Sequence, residues 1–222
     1  VQIAGFEKGF FDFNGTHQKL IEPDTLVISA FPIATEPMPD SSLIKPTPFI
    51  QSDDIRIISK AKEIISGTVD TLEMLMKINN YLYRNIKKVY RGTLPQAVEV
   101  LSSMRGDCNE HSILFVALAR ALKIPARIEV GLIYKEGRFF YHSWVSAFMG
   151  GRWWYFDPTL GQAPPDATHI RLITGDISKQ IALLRLESPK IKILSFITPA
   201  DTSKNSQNYS SWLALKGKIW KL

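Results

Sequence analysis

Cys108 is the only cysteine among the 222 residues, which excludes an internal disulfide framework and a multi-cysteine metal site. A lone cysteine is either a small buried hydrophobe or a reactive thiol, and the first is the commoner case. Its neighbours decide between them. The nucleophile is the thiolate, and the unpaired N–H groups and macrodipole at a helix N-terminus favour that negative charge. Gly106-Asp107-Cys108 opens a strongly helical run, so a lowered thiol pKa is expected. The glycine is expected to let the backbone approach a substrate carbonyl.

A thiol also needs a base, and the base needs an orienting group. Two strand-like runs, Phe139 to Phe148 and Arg152 to Phe156, flank Gly150-Gly151. If the two glycines form a two-residue turn, Met149 pairs with Arg152 and His142 falls opposite Thr159. Asp157 is then the diagonal neighbour of His142 on the same face, with Cβ atoms about 7 Å apart or less. In this arrangement His142 takes the thiol proton and later protonates the leaving amine, while Asp157 orients the ring. The backbone N–H of Cys108 would be one oxyanion donor.

Plainer readings stand beside these. A lone strand histidine flanked by Tyr141 and Trp144 is more often a packed or surface residue, and an aspartate before Pro158 is a common turn former. His111, three residues after Cys108, shares its helix face and competes for the role of base. It has no orienting carboxylate beyond Glu110, so a structural role is the default. Zinc held by Cys108, His111, His142 and His169 is the less favoured alternative, because the usual ligand spacings are absent. His169 is expected in a loop packed near the site.

The elements that must position these residues follow from the apolar period. Ile55, Ile58, Ala61 and Ile65 predict a first helix stopped by Gly67. A second runs from Asp70, with Glu73 three residues on as a capping-box pair, through Leu72, Leu75, Ile78, Leu82 and Ile86 to about Lys88. Pro95 suits the first turn of a short third helix holding Ala97, Val98 and Leu101. The fourth covers Cys108 to Leu122, with a stripe of Leu114, Ala117, Leu118, Ala121 and Leu122, and Pro125 ends it. Strands are expected over Ala126 to Tyr134 and the two runs above, with Gly137 as a further turn, and again within Ile181 to Ile197, where Ile191, Ile193 and Phe196 sit among polar residues. Helices first and an antiparallel sheet afterwards make an α+β fold.

Composition sets the limits. At 45% hydrophobic and 22% charged residues the chain can bury one sizeable core, and no run reaches the 18 apolar residues of a membrane span. The chain is read as soluble. The net charge of +6 is spread without a dense block, so no nucleic-acid partner is expected. Residues 1–50, rich in proline, read as an extended or β arm, the remnant of a preceding domain; 51–200 form the main domain and 201–222 a tail. The start at Val1, in mid-pattern, suggests a processed piece of a longer protein and a periplasmic or cell-envelope location.

The motif set resembles a known family. Gly106-Asp107-Cys108-Asn109-Glu110-His111 with Ile124-Pro125-Ala126-Arg127, Tyr141-His142-Ser143-Trp144, Trp153 to Gln162 with Asp157-Pro158-Thr159, and Asp166-Ala167-Thr168-His169 are similar to the core of bacterial transglutaminase-like proteins. The similarity covers about Ser52 to Leu172. It implies the papain-like fold, in which a helix carrying the nucleophile packs on an antiparallel sheet. It also implies that Cys108, His142 and Asp157 are the catalytic triad, with no cofactor. The tryptophan that serves the oxyanion in animal transglutaminases has no clear counterpart before Cys108, and no acidic cluster suggests their calcium sites. The expected activity is acyl transfer or hydrolysis at amide bonds of a protein, peptide or peptidoglycan stem through a thioester. The alternatives are a strict cysteine peptidase and a non-catalytic binding or assembly module of a larger envelope protein.

Overall fold

The computed structural model describes residues 1–6, 9–90, 95–175 and 189–196. Helix α1 (Ile55–Ile64) starts at Asp54, whose carboxylate accepts the Arg56 N–H. It buries Ile57 and Ala61, and leaves Ile55 70% exposed. The expected apolar period therefore began one residue pair off: Ile55 lies in the first turn, on the solvent side. Helix α2 (Thr71–Asn85) is capped by Asp70, which accepts the Glu73 N–H. The Glu73 carboxylate does not complete the box. It takes the Thr68 hydroxyl and pairs with Lys77. Leu75, Ile78 and Leu82 form the buried stripe. The helix stops at Asn85, short of Lys88, because Lys87–Lys88 (β4) leave it to pair in parallel with Arg105–Gly106 (β5). Helix α3 (Ala97–Ser103) starts after Gln96, so Pro95 lies just outside the first turn.

Helix α4 (Cys108–Ala121) is buried all round from Glu110 to Arg120. The expected one-sided stripe understates it, since α1, α2 and α3 cover one side and the sheet the other. Its buried Arg120 is satisfied by the carbonyls of Ala126 and Lys45, which is how a cation is kept in a core helix. The chain turns away at Lys123, which has a positive φ of 64°, two residues before Pro125.

The main sheet runs β8-β7-β6-β9 and is antiparallel throughout: β6 (Ala126–Lys135), β7 (Arg138–Met149), β8 (Arg152–Phe156) and β9 (His169–Thr174). Gly150 and Gly151 both have positive φ, as a two-residue primed turn requires. The register is the expected one: Met149 pairs with Arg152 and Val145 with Phe156. Helices on an antiparallel sheet, with Cys108 opening α4, give the α+β class expected from the sequence. Strand β9 was not anticipated, and His169 opens it instead of lying in a loop.

A second sheet, β10-β1-β3-β2, joins β1 (Gln2–Ala4), β2 (Gln18–Ile21) and β3 (Thr25–Ile28) to β10 (Lys190–Lys192). Of the strands expected over Ile181 to Ile197, residues 181–188 and Ile197 lie outside the described residues, as do 201–222. Ile3, Phe11, Phe13 and Leu26 pack on Ile170, Leu172 and Ile173 of β9. On the other face of the main sheet a buried ion network ties the arm to the core. Glu36 accepts from Arg127, Arg171 and the Tyr155 hydroxyl, and Arg171 also reaches Asp12 and the Asn14 carbonyl. A Cβ on Gly15 would stand too close to the Arg171 guanidinium, so a larger residue there would have to displace this side chain from its ion pairs.

Candidate active site

The start of α4 is built by a reciprocal cap. The Asp107 carboxylate accepts the Asn109 N–H at 2.9 Å, and the Glu110 carboxylate reaches back to the Asp107 N–H at 2.8 Å. These bonds satisfy N–H groups that a helix start leaves unpaired. A Cβ on Gly106 would overlap the Glu110 side chain. The glycine before the cysteine thus makes room for the cap.

Cys108 is partly buried. Its sulfur accepts the backbone N–H of Ser143, the residue after His142, as well as its own N–H. Burial pushes the thiol up to about 12, the Asp107 carboxylate adds to this, and the two N–H donors only partly offset it. The helix dipole does not win here. The resting group is a thiol, and the expectation of a lowered pKa is corrected: desolvation next to a carboxylate outweighs a helix terminus.

His142 and Asp157 meet as their register predicts. Nε2 of His142 lies 2.7 Å from Oδ2 of Asp157, with both residues buried. The diagonal offset places the two residues, and the end of β8 completes the contact: Asp157 turns out of the strand and closes a loop in which its N–H and carbonyl bond Gln162. Its Oδ1 accepts the N–H groups of Thr159 at 2.8 Å and Leu160 at 3.0 Å. Asp157 is therefore both the turn former and the partner of His142. Gly161 in this loop has a φ of 71°, and a Cβ there would sit 2.9 Å from the Tyr83 ring, which lays α2 against the loop.

Burial works against the ionised form of Asp157, yet hydrogen bonds from His142 and His169 hold the carboxyl well below its usual range. His169 is the residue that sequence reasoning undervalued. Its Nε2 lies 3.1 Å from the same Oδ2, and its Nδ1 lies 3.2 Å from the Asp166 carbonyl and 3.5 Å from its carboxylate. Burial disfavours the imidazolium of His169, but its bonds to Asp157 and Asp166 outweigh this and raise it to about 9. The signal was present: Ile170 and Leu172 alternate with polar His169 and Arg171, a strand period, with Asp166 three residues earlier.

His111 does not join this group. Its Nδ1 lies 2.6 Å from the Asp107 carbonyl, and its buried Nε2 has no hydrogen-bond partner among the described residues. Burial lowers its pKa, so the ring is neutral. It braces the helix start, as the default reading had it. The suggested zinc set of Cys108, His111, His142 and His169 is not what the fold gathers. The described side chains close enough to share an ion are His142, Asp157 and His169, with ligand atoms within 4.8 Å. Both imidazoles place Nε2 within hydrogen-bond distance of one oxygen of Asp157.

Residues 58–158 match the family model of the transglutaminase-like superfamily. A solved structure described as a proposed cysteine protease from Cytophaga hutchinsonii superposes with a TM-score of 0.52 and 25% identity, over 60% of this chain and 45% of that one. The periplasmic domain of TgpA from Pseudomonas aeruginosa aligns with a TM-score of 0.44 and 16% identity, over 54% of this chain and 46% of that one. The chain thus spans less than half the length of either structure. No curated protein sequence matches it significantly.

Proposed function

From the transglutaminase-like core that residues 58–158 form, we propose that this protein is a cysteine-dependent enzyme acting on amide bonds, with Cys108 as nucleophile, His142 as base and Asp157 as orienter. The observation that carries this reading is the fully buried Asp157 carboxylate bound to Nε2 of His142. That bond fixes the ring and leaves Nδ1 for proton transfer, while the sulfur rests on the N–H of the next residue, Ser143.

Because the resting group is a thiol, the proton moves during attack and not before it. As sulfur bonds to the carbonyl carbon, Nδ1 of His142 takes the Sγ proton and the carbonyl electrons pass to oxygen. The Asp157 carboxylate offsets the charge gained by the ring. Collapse of the adduct breaks the C–N bond, and His142 returns the proton to the departing amine, leaving a thioester. Water or a second amine then attacks it, with His142 again taking the proton and Cys108 leaving as thiol. A protein, peptide or peptidoglycan stem fits as substrate. Exposed Lys87, Lys88 and Arg105, paired across β4 and β5 immediately before Gly106, favour stems that carry carboxylates.

The test is the alkylation rate of Cys108 by iodoacetamide near pH 7, read by mass, in the parent and in His142→Ala. A positioned general base contributes roughly 100-fold or more, so the variant should react at least about 10-fold more slowly. Equal rates would remove His142 from the reaction. Incubation with casein and a labelled primary amine then separates transfer, which incorporates the label, from hydrolysis, which does not.

A further inference from the structure

Asp157 serves two imidazoles at one oxygen, and the second one is not explained by attack on a carbonyl. His169 is buried, contributes both ring nitrogens to acidic partners, and is stacked edge-on against Trp144 with ring centroids 5.2 Å apart. Its ring centroid lies 5.5 Å from that of His142. We propose that His169 is a positioning residue, an imidazolium that clamps the Asp157 carboxylate at the same oxygen as His142 and restrains how strongly His142 holds a proton. The inference rests on the reading of Asp157 and His142 given above.

The fold makes a specific provision for this contact. Gly131 on β6 pairs with His142 on β7 and with Arg171 on β9, and the β6–β9 register shifts between Val130 and Gly131. A Cβ on Gly131 would overlap the Ile170 carbonyl. The bulge and the missing side chain let β9 approach closely at the level of His142, two residues along β6 from Ile133, the partner of His169. Asp166 then anchors the far nitrogen, and its own carboxylate is bonded by the Thr168 N–H.

The charge logic follows from the neighbours. Asp157 and Asp166 face His169, His142 lies beside it, and His17, Tyr155 and Arg171 line the small cavity on its other side. Burial keeps His17 neutral, lowering it to about 4. The pair Asp157–His169 is therefore close to neutral overall. An unshielded buried carboxylate would bind the proton on His142 too tightly for a base at neutral pH, and a nearby cation reverses part of that pull. His169 gives the relay a carboxylate that orients the ring without over-stabilising its charged form.

The experiment follows the four histidine rings by NMR through a pH series in the parent, in His169→Gln, which keeps an N–H donor without the charge, and in Asp166→Asn. In His169→Gln the His142 ring should titrate at higher pH than in the parent. In Asp166→Asn the His169 ring should titrate lower than in the parent, with the His142 ring moving up in turn. An unmoved or lowered His142 titration in both variants overturns the inference. The acid limb of Cys108 alkylation is recorded alongside. If the His142 titration moves and the alkylation limb does not, the relay stands and the catalytic reading of His142 falls. If His169→Gln does not fold, Asp166→Asn carries the same test.

Discussion

Two clusters of titratable groups make up this site, and they settle in opposite charge states although burial opposes charge in both. At the start of α4 three groups are shifted toward their neutral forms: the Cys108 thiol is pushed up to about 12, burial raises Glu110 to about 7, and burial lowers His111. At the ends of β8 and β9, Asp157, Asp166 and His169 are held in charged forms. The difference is partnership: the helix start brings like charges together, Asp107 beside Glu110, whereas the sheet supplies each carboxylate with an imidazole. Desolvation sets the sign where a group is alone, and pairing reverses it.

The largest expected effect breaks the paired side. Asp157→Asn keeps the shape but removes the charge that both histidines lean on, and should lower any Cys108-dependent turnover on the order of 1000-fold. Assaying the variant alongside Cys108→Ala measures the residual rate, and a loss under about tenfold would contradict the assigned role. Next comes the pH dependence of stability. His169 is raised to about 9, above its unfolded value near 6.5. Its contribution is therefore fully present below about pH 6.5 and fades as pH rises through about 9, by an amount on the order of 3 kcal/mol. Denaturant titrations of the parent should show this decline between those pH values, and His169→Phe should lack it. The smallest effect sharpens the neutral side. Gly106→Ala forces a methyl against Glu110 and should cost about 1–3 kcal/mol, with Glu110→Gln nearly silent at pH 7 because a neutral amide can still accept the Asp107 N–H. If Gly106→Ala is silent as well, the glycine is not there for the cap.

Much of this arrangement was legible in the residues, and the failures share a cause. The hairpin register was readable because a Gly-Gly turn and a strict two-residue period leave few alternatives. That register brings Asp157 to His142. The four helices were readable from their apolar spacing, though not their ends, since the stop at Asn85 depends on Lys87 and Lys88 finding Arg105 and Gly106. Strand β9 was missed because four of its six residues, His169 to Leu172, alternate in a pattern too short to separate from a loop, and its place depends on Gly131 being open. The state of the thiol was also beyond reach. A helix N-terminus is visible in a sequence, but how dry the sulfur lies and how near Asp107 stands are facts of packing.

The crossing of the first fifty residues over Arg171 has a consequence for how the molecule can be divided. Glu36 is held well below the usual carboxylate range, although burial opposes this, because Arg171 and Arg127 flank it. Excising the leading segment would remove Glu36 and Asp12 and leave Arg127 and Arg171 to share the one buried carboxylate of Glu129, next to the strand that delivers His169. A shortened core would then have to swallow water or splay open there. The leading segment is in that sense a counter-ion carried on the same polypeptide.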